Sequence, residues 1–307
     1  MKPIIFSADN HLTAKKPMFR TDDYPITGLR KFKFILDTAA QKGGAAVFAG
    51  DLTDKATGAV WFLNAIMQTI QSSFASCYAV MGQHDQLYHN NEVSKTQFGT
   101  LVTAGVMEIL TGGQVINGAT LYGRSWGDPY PEPKKNGFLG PQILVAHETV
   151  TNGPPPPWLA AQSAVQMIEA HPGFDYIVTG DFHEKFVVDH NGCTLINTGP
   201  MLRQSVDKKN FKPSCWMISD AGVTEIPIPI EDEVFDLTAM AEASRISGTA
   251  FDPALMDKLI FSLEESGKNK PTFDQIVTKM LVEIPPEKEL LKTTIMEVMD
   301  YVRQANS

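Results

Sequence analysis

Cysteine is scarce: Cys77, Cys193 and Cys215 are the only three in 307 residues. They are odd in number, widely spaced and set in apolar or strand-like stretches. Neither a disulfide framework nor a zinc cluster is indicated, and buried free thiols are expected. No stretch approaches the ~20 consecutive apolar residues of a membrane span, and the apolar part of Met1–Asp9 is too short for a secretory leader. A cytoplasmic protein without membrane contact is expected. Excess positive charge is missing too, since 26 Lys and Arg stand against 35 Asp and Glu, a net charge of -9. That excludes coating nucleic acid by charge alone and confines any DNA contact to a local patch. The chain also lacks internal repeats and low-complexity segments.

With 43% hydrophobic residues, the chain can bury the core of one large domain plus an appendage. Residues 1–230 alternate short β-branched runs with longer helical patterns, the signature of an α/β domain. Leu29–Gln41 and Val60–Ile70 carry apolar residues at helical spacing and are expected to cover a sheet. Thr194–Asn197, Cys215–Ser219 and Val223–Ile228 read as later strands, assigned to a second sheet. Pro129–Pro133 and Pro154–Pro157 must be loops, because proline lacks the amide hydrogen that a central ladder needs.

After Ile230 the strand signal gives way to helical patterns, so residues 231–307 are expected to form a small C-terminal helical region. Asp252-Pro253 opens one helix, Thr272–Gln275 reads as a capping box, and Leu291, Ile295, Val298 and Val302 form one apolar stripe. That stripe suits packing on its own domain or docking on a partner.

Five apolar runs end in acid or histidine. Ile4–Phe6 leads into Asp9 and His11, Ala45–Phe48 into Gly50-Asp51 and Asp54, and Tyr78–Met81 into Gln83-His84-Asp85. Ile143–Val145 leads into His147, and Tyr176–Val178 into Asp181 and His183. Ligands bind beyond the carboxyl ends of the strands in such sheets, so polar groups delivered there are chemically placed. Asp-x-His in extended chain lets both side chains lean toward one ion, and a carboxylate after a glycine turn has two oxygens with which to bridge two ions. Any single motif is weak, and a turn aspartate or satisfied histidine explains it as well. Five at successive strand ends favour a metal centre.

These blocks resemble the ordered motifs of calcineurin-like metallophosphoesterases: D-x-H, G-D-x-x-D, G-N-H-D, H and G-H-x-H. The resemblance implies a two-sheet αββα sandwich over residues 1–230. It also implies two divalent ions ~3.5–4 Å apart that polarise a phosphoryl oxygen and activate water for in-line attack. One ion would be held by Asp9, His11, Asp51 and His183, the other by Asp51, Gln83, His147 and Asp181. His84 would act as general acid, oriented by Asp54 or Asp85. Oxygen and imidazole donors without thiolate suit manganese, with iron and zinc as alternatives. Two positions depart from the family pattern. Gln83 stands where asparagine is usual, one methylene longer, and Asp181 replaces the first histidine of G-H-x-H, so both changes fall on the second ion.

Within that family, Ile196–Ser205, reading INTGPMLRQS, resembles the segment that follows the last metal motif in SbcD-type nucleases, as does the opening Ser7–Leu12. What this implies is a manganese-dependent exonuclease or endonuclease of DNA repair. Its expected partners are DNA, an SbcC-type ABC ATPase and a second copy of the chain, with residues 231–307 as a reduced cap and ATPase-docking segment. Arg203 would bind substrate. Lys15, Lys16, Arg20, Lys208, Lys209 and Lys212 are either solvated surface or a phosphate track. Tyr88, His89, Trp126 and Trp158 are either packing residues or platforms for bases. Two other functions fit the motifs: a stand-alone phosphodiesterase or phosphatase on small phosphoesters, and a DNA-end-binding scaffold with weakened catalysis.

Overall fold

The structure, a computed structural model, describes residues 1–88, 90, 92–133 and 140–239. The expected helices beyond Asp252 and the apolar stripe 291–302 lie outside the described residues. In chain order the elements are β1 (Ile4–Ser7), α1 (Tyr24–Gln41), β2 (Ala45–Ala49), α2 (Val60–Ser73), β3 (Ser76–Val80), α3 (Gln97–Thr103), β4 (Glu108–Ile109), β5 (Gln114–Ile116) and β6 (Ala119–Arg124). They continue with β7 (Gln142–His147), β8 (Val150–Thr151), β9 (Gln162–Ser163), α4 (Ala164–Ala170), β10 (Tyr176–Gly180), β11 (Phe186–His190), β12 (Cys193–Asn197), β13 (Ser214–Ser219) and β14 (Gly222–Pro227).

Two six-stranded sheets form, in the orders β14-β13-β1-β2-β3-β4 and β11-β12-β10-β7-β6-β5. Each has a run of parallel pairings flanked by antiparallel ones: β1 to β4 pair in parallel while β13 pairs antiparallel with both β1 and β14, and β6, β7, β10 and β12 pair in parallel while β5 and β11 pair antiparallel with their neighbours. Pro227 sits at the end of an outermost strand, where its missing amide hydrogen breaks no central ladder. The expectation for the late strands is half right. Thr194–Asn197 lies in the second sheet, but Cys215–Ser219 and Val223–Pro227 join the first, where Ile4 pairs with Ile218 and Phe6 with Trp216.

The period-two alternation of strand side chains sorts the core into layers. From β1 and β2, Ile4, Phe6, Ala45, Val47 and Ala49 face the second sheet and meet Ile143, Val145, Val178 and Ile196. The alternate residues Ile5, Ala46 and Phe48 turn outward onto Phe32, Ile35 and Leu36 of α1 and Phe62 and Ile66 of α2. On the far side, Leu144, Ala146, Ile177 and Leu195 pack on Ala164, Met167 and Ile168 of α4. The result is the αββα sandwich, buried on both faces of each central strand as parallel sheets require. Helix α1 starts five residues before Leu29, because Asp23 caps it by accepting from the Ile26 amide and Pro25 fits the first turn. All three cysteines are buried, and burial raises the Cys77 and Cys215 thiols to about 12 and Cys193 to about 11. No helix among the described residues is long and apolar enough to cross a membrane.

Residues beyond 230 remain attached to this body as far as they are described. The Thr21 amide donates to the Val234 carbonyl and the Asp236 amide to that of Phe19. Glu231 accepts from Lys31 and Arg30.

Candidate metal centre

All five expected strands end at one rim shared by the two sheets. Asp9 and His11 follow β1, Asp51 and Asp54 follow β2, and Gln83 and His84 follow β3. His147 closes β7, and Asp181 and His183 follow β10. Asp9, His11, Asp51 and Asp181 adopt positive φ, at 48°, 42°, 50° and 93°. Left-handed backbone costs a non-glycine residue on the order of 1–3 kcal/mol, and such strain gathers where a side chain must be aimed.

Glycine makes the close approach possible. A Cβ on Gly82 would lie 2.0 Å from Asp51 Oδ1, and one on Gly50 2.2 Å from His147 Nδ1. One on Gly180 would lie 2.4 Å from the Ala8 Cβ and 2.7 Å from the Ala49 oxygen, so the two sheets touch through their smallest residues.

Three overlapping groups of donor atoms result, each within 4.8 Å: Asp9, His11 and His183; Asp9, Asp51 and His147; and His11, Asp54 and His84. Asp51 Oδ2 is central, 3.4 Å from His147 Nε2, 3.8 Å from His11 Nε2 and 3.9 Å from His84 Nε2. Asp181 Oδ1 lies 3.8 Å from His147 Nε2, and Asp9 Oδ1 3.9 Å from His183 Nε2. Asp9, Asp51, His147 and Asp181 are buried, while His84 and His183 keep 25% and 36% of their side chains exposed, so the site opens on one side.

The polar chemistry of these groups fits divalent ions. His147 Nδ1 pairs with the Ala49 carbonyl at 2.7 Å, which accepts only, so the proton sits on Nδ1. Nε2 is buried without a partner, as are His11 Nδ1 and Gln83 Oε1. A ring fixed through one nitrogen with the other left as donor is how proteins present histidine to a metal. The electrostatics of the protein groups agree. Burial, reinforced by Asp51 and Asp181, raises Asp9 to about 8. Against burial, Asp51, Asp181 and Asp9 raise His147 to about 10. Asp51, despite burial, is held below the usual carboxylate range by His147, His84 and His11. Three buried carboxylates need positive charge beyond what one imidazole supplies.

Two of the expected residues make bonds that the sequence does not signal. Asp85 accepts from the amides of Leu52, Thr53 and Gly82 and from the Thr53 hydroxyl, all between 2.9 and 3.1 Å. Its carboxylate clasps the Gly50 turn to the Gly82 turn, and Asp54 offers its backbone carbonyl to His84 Nδ1 at 2.8 Å. Arg203 is only 6% exposed, and its guanidinium donates to the carbonyls of Lys209 and Glu231. These bonds make it a staple inside the fold. Arg20 is likewise spent on both oxygens of Asp22 and on the Arg203 carbonyl. Lys208 does reach the rim, donating to the His183 carbonyl at 3.2 Å. Tyr88 and Trp158 are exposed, Trp126 is half-buried, and His89 lies outside the described residues.

Several supporting residues went unforeseen. Thr149 donates to Asp181 Oδ2. Its position two after His147 was the available signal, since alternate residues of extended chain share a side. Arg124 donates to the His147 carbonyl at 2.7 Å, pairs with Glu148 and lies 4.5 Å from the centre of the Tyr130 ring. Asn197 donates to the carbonyls of Phe182 and Glu184, holding the turn that carries His183.

Comparison with curated protein sequences gives no match. Among solved structures, the protein TT1561 of Thermus thermophilus is similar at 11% identity and a TM-score of 0.47, over 74% of this chain and 99% of that one. A novel archaeal phosphodiesterase is similar at 10% identity and 0.42, over 73% and 99%. The family model described as calcineurin-like phosphoesterase matches residues 2–185, a span that contains every candidate ligand from Asp9 to His183. The family is dinuclear and metal-dependent, and the donor set at the shared rim fits that chemistry: this chain belongs to the calcineurin-like phosphoesterases and is a metal-dependent phosphoester hydrolase.

Proposed function

We propose that the chain is the nuclease subunit of a cytoplasmic SbcCD-like DNA-repair complex, cleaving DNA phosphodiester bonds with two manganese ions beside an SbcC-type ATPase. The observation that carries this reading is the placement of residues 196–205, the segment that resembles SbcD-type nucleases, and of Lys208 just beyond it. Pro200 bridges Ala8 next to Asp9, Met201 Sδ accepts from Asn10, and Lys208 reaches the His183 carbonyl. The segment thus forms a wall of the metal centre and brings a cation to its open side, where a neighbouring backbone phosphate would pass.

Asp9, Asp51, His147, His11 and His183 would hold the ions, with Gln83 completing the second and Asp181 bonded to Gln83 behind it. Bound there, two divalent ions supply charge that stabilises the phosphoryl oxygens and lower the pKa of water. Nitrogen donors from three histidines favour manganese over magnesium, which prefers oxygen. With its Nδ1–H on the Asp54 carbonyl, His84 has Nε2 as the atom that passes a proton to the leaving oxygen.

The test is the purified full chain with manganese on an end-labelled linear duplex, run beside bis(p-nitrophenyl) phosphate. Nucleotide release from the duplex supports the proposal. Turnover of the aryl diester alone would make the chain a small-molecule phosphodiesterase, and retention of DNA without cleavage a scaffold, and either result overturns the proposal.

A further inference from the structure

The two departures from the family pattern touch each other. Gln83 Nε2 donates to Asp181 Oδ1, and Thr149 Oγ1 donates to Asp181 Oδ2. A carboxylate accepts only, so this contact fixes which way the Gln83 amide faces. Its nitrogen is turned to Asp181, whose Oδ1 lies 3.8 Å from His147 Nε2, and its oxygen Oε1 is left buried and without a partner. The extra methylene of glutamine over asparagine gives the amide the reach to bridge to Asp181.

We propose that Asp181 is a positioning residue. Held by Thr149, it orients the Gln83 amide so that the carbonyl oxygen faces the second ion, and its negative charge makes that oxygen a stronger donor. Gln83 and Asp181 then act as one unit in place of the asparagine and histidine usual in the family. This is the logic by which metal-ligating histidines are backed by carboxylates, applied to an amide. The inference rests on the two-ion reading of the site but not on the identity of the substrate.

Manganese titration calorimetry, with electron paramagnetic resonance to detect coupling between two bound ions, tests it on the full chain. The variants are Gln83→Asn, Asp181→Ala, Asp181→Asn, and Gln83→Asn combined with Asp181→Ala. The wild type should take up two ions with a coupled spectrum. Gln83→Asn and Asp181→Ala should each keep the first event and weaken the second by roughly tenfold or more, the usual cost of losing a supporting partner. Their combination should be no worse than either alone, because one unit is broken once. Asp181→Asn keeps an oxygen to accept from Gln83, and the Thr149 hydroxyl can turn to accept from its amide, so it should lie nearer wild type than Asp181→Ala. Equal losses for Asp181→Asn and Asp181→Ala, or losses that multiply in the combined variant, would overturn the proposal while leaving the two-ion site standing. A wild type that takes up a single ion would overturn both.

Discussion

His147 donates its Nδ1–H to the carbonyl oxygen of Ala49 at 2.7 Å, so the last residue of one sheet's central strand sets the proton position on the other sheet's ligand. The consequence is a proton-coupled metal site. At pH 7 the metal-free chain holds protons on Asp9, raised to about 8, and on His147, raised to about 10. Manganese must displace them, so uptake should release protons at pH 7, and apparent affinity should rise as pH climbs toward 8. Calorimetry in buffers of different ionisation enthalpy reads this directly. The stability sign follows the same groups. Both folded values lie above the ordinary 3.8 and 6.5, so the stability that they give the chelated protein is complete below those values. It is lost as pH rises through about 8 and about 10. Between pH 7 and 9 the chelated chain should lose melting temperature faster than the loaded one, and parallel melting curves would contradict this.

Replacing His84 by alanine should leave manganese uptake close to wild type and lower turnover by ~10²–10⁴, the range of a lost general acid. Unchanged turnover of a small diester would remove His84 from the chemistry.

Arg203→Ala should act on stability, not on substrate. Its guanidinium holds Lys209 and Glu231 carbonyls inside the fold, and hydrogen bonds from a charged donor are worth about 1.5–3 kcal/mol each. Urea unfolding should show a lower midpoint while KM for a phosphodiester stays put. A raised KM at unchanged stability would return Arg203 to the substrate.

Gly82→Ala should abolish both metal events. The added methyl would fall 2.0 Å from Asp51 Oδ1, and Asp51 is the carboxylate placed between the two donor groups. Two ions bound at wild-type affinity in this variant would show that Asp51 is not shared.

The site's members were legible because acids and histidines directly after apolar runs stand out: Asp9, Asp51, His84, His147 and Asp181 sit where the runs end. Their roles were less so. Asp85 and Arg203 carry the right chemistry for orienting a general acid and gripping phosphate. Yet backbone amides around Leu52–Thr53 consume the first and the carbonyls of Lys209 and Glu231 the second, and such partners leave no mark on a local pattern. The sheet assignment of Cys215–Ser219 and Val223–Ile228 failed for a related reason. Cys215–Ile218 reads plainly as a strand, but its pairing with Ile4–Phe6 joins residues about two hundred positions apart, and strand pattern encodes a face, not a neighbour. Strand β6 escaped notice because Gly123 interrupts its apolar run, a glycine needed where a Cβ would meet the Leu110 carbonyl at 2.2 Å.

The contact of Gly180 with Ala8 and Ala49 makes the rim a clasp with two jaws. One sheet brings Asp9, His11, Asp51 and Gln83, and the other brings His147, His183 and the Asp181 that holds Gln83, so neither jaw alone carries a complete site. Fragments divided between β3 and β6 would each be deficient, and recovery of tight manganese uptake on mixing them would report that the halves had closed on one another. The ions would thus serve as a rivet through the molecule, and the outer helices could drift in sequence far more freely than the three small residues that let the jaws meet.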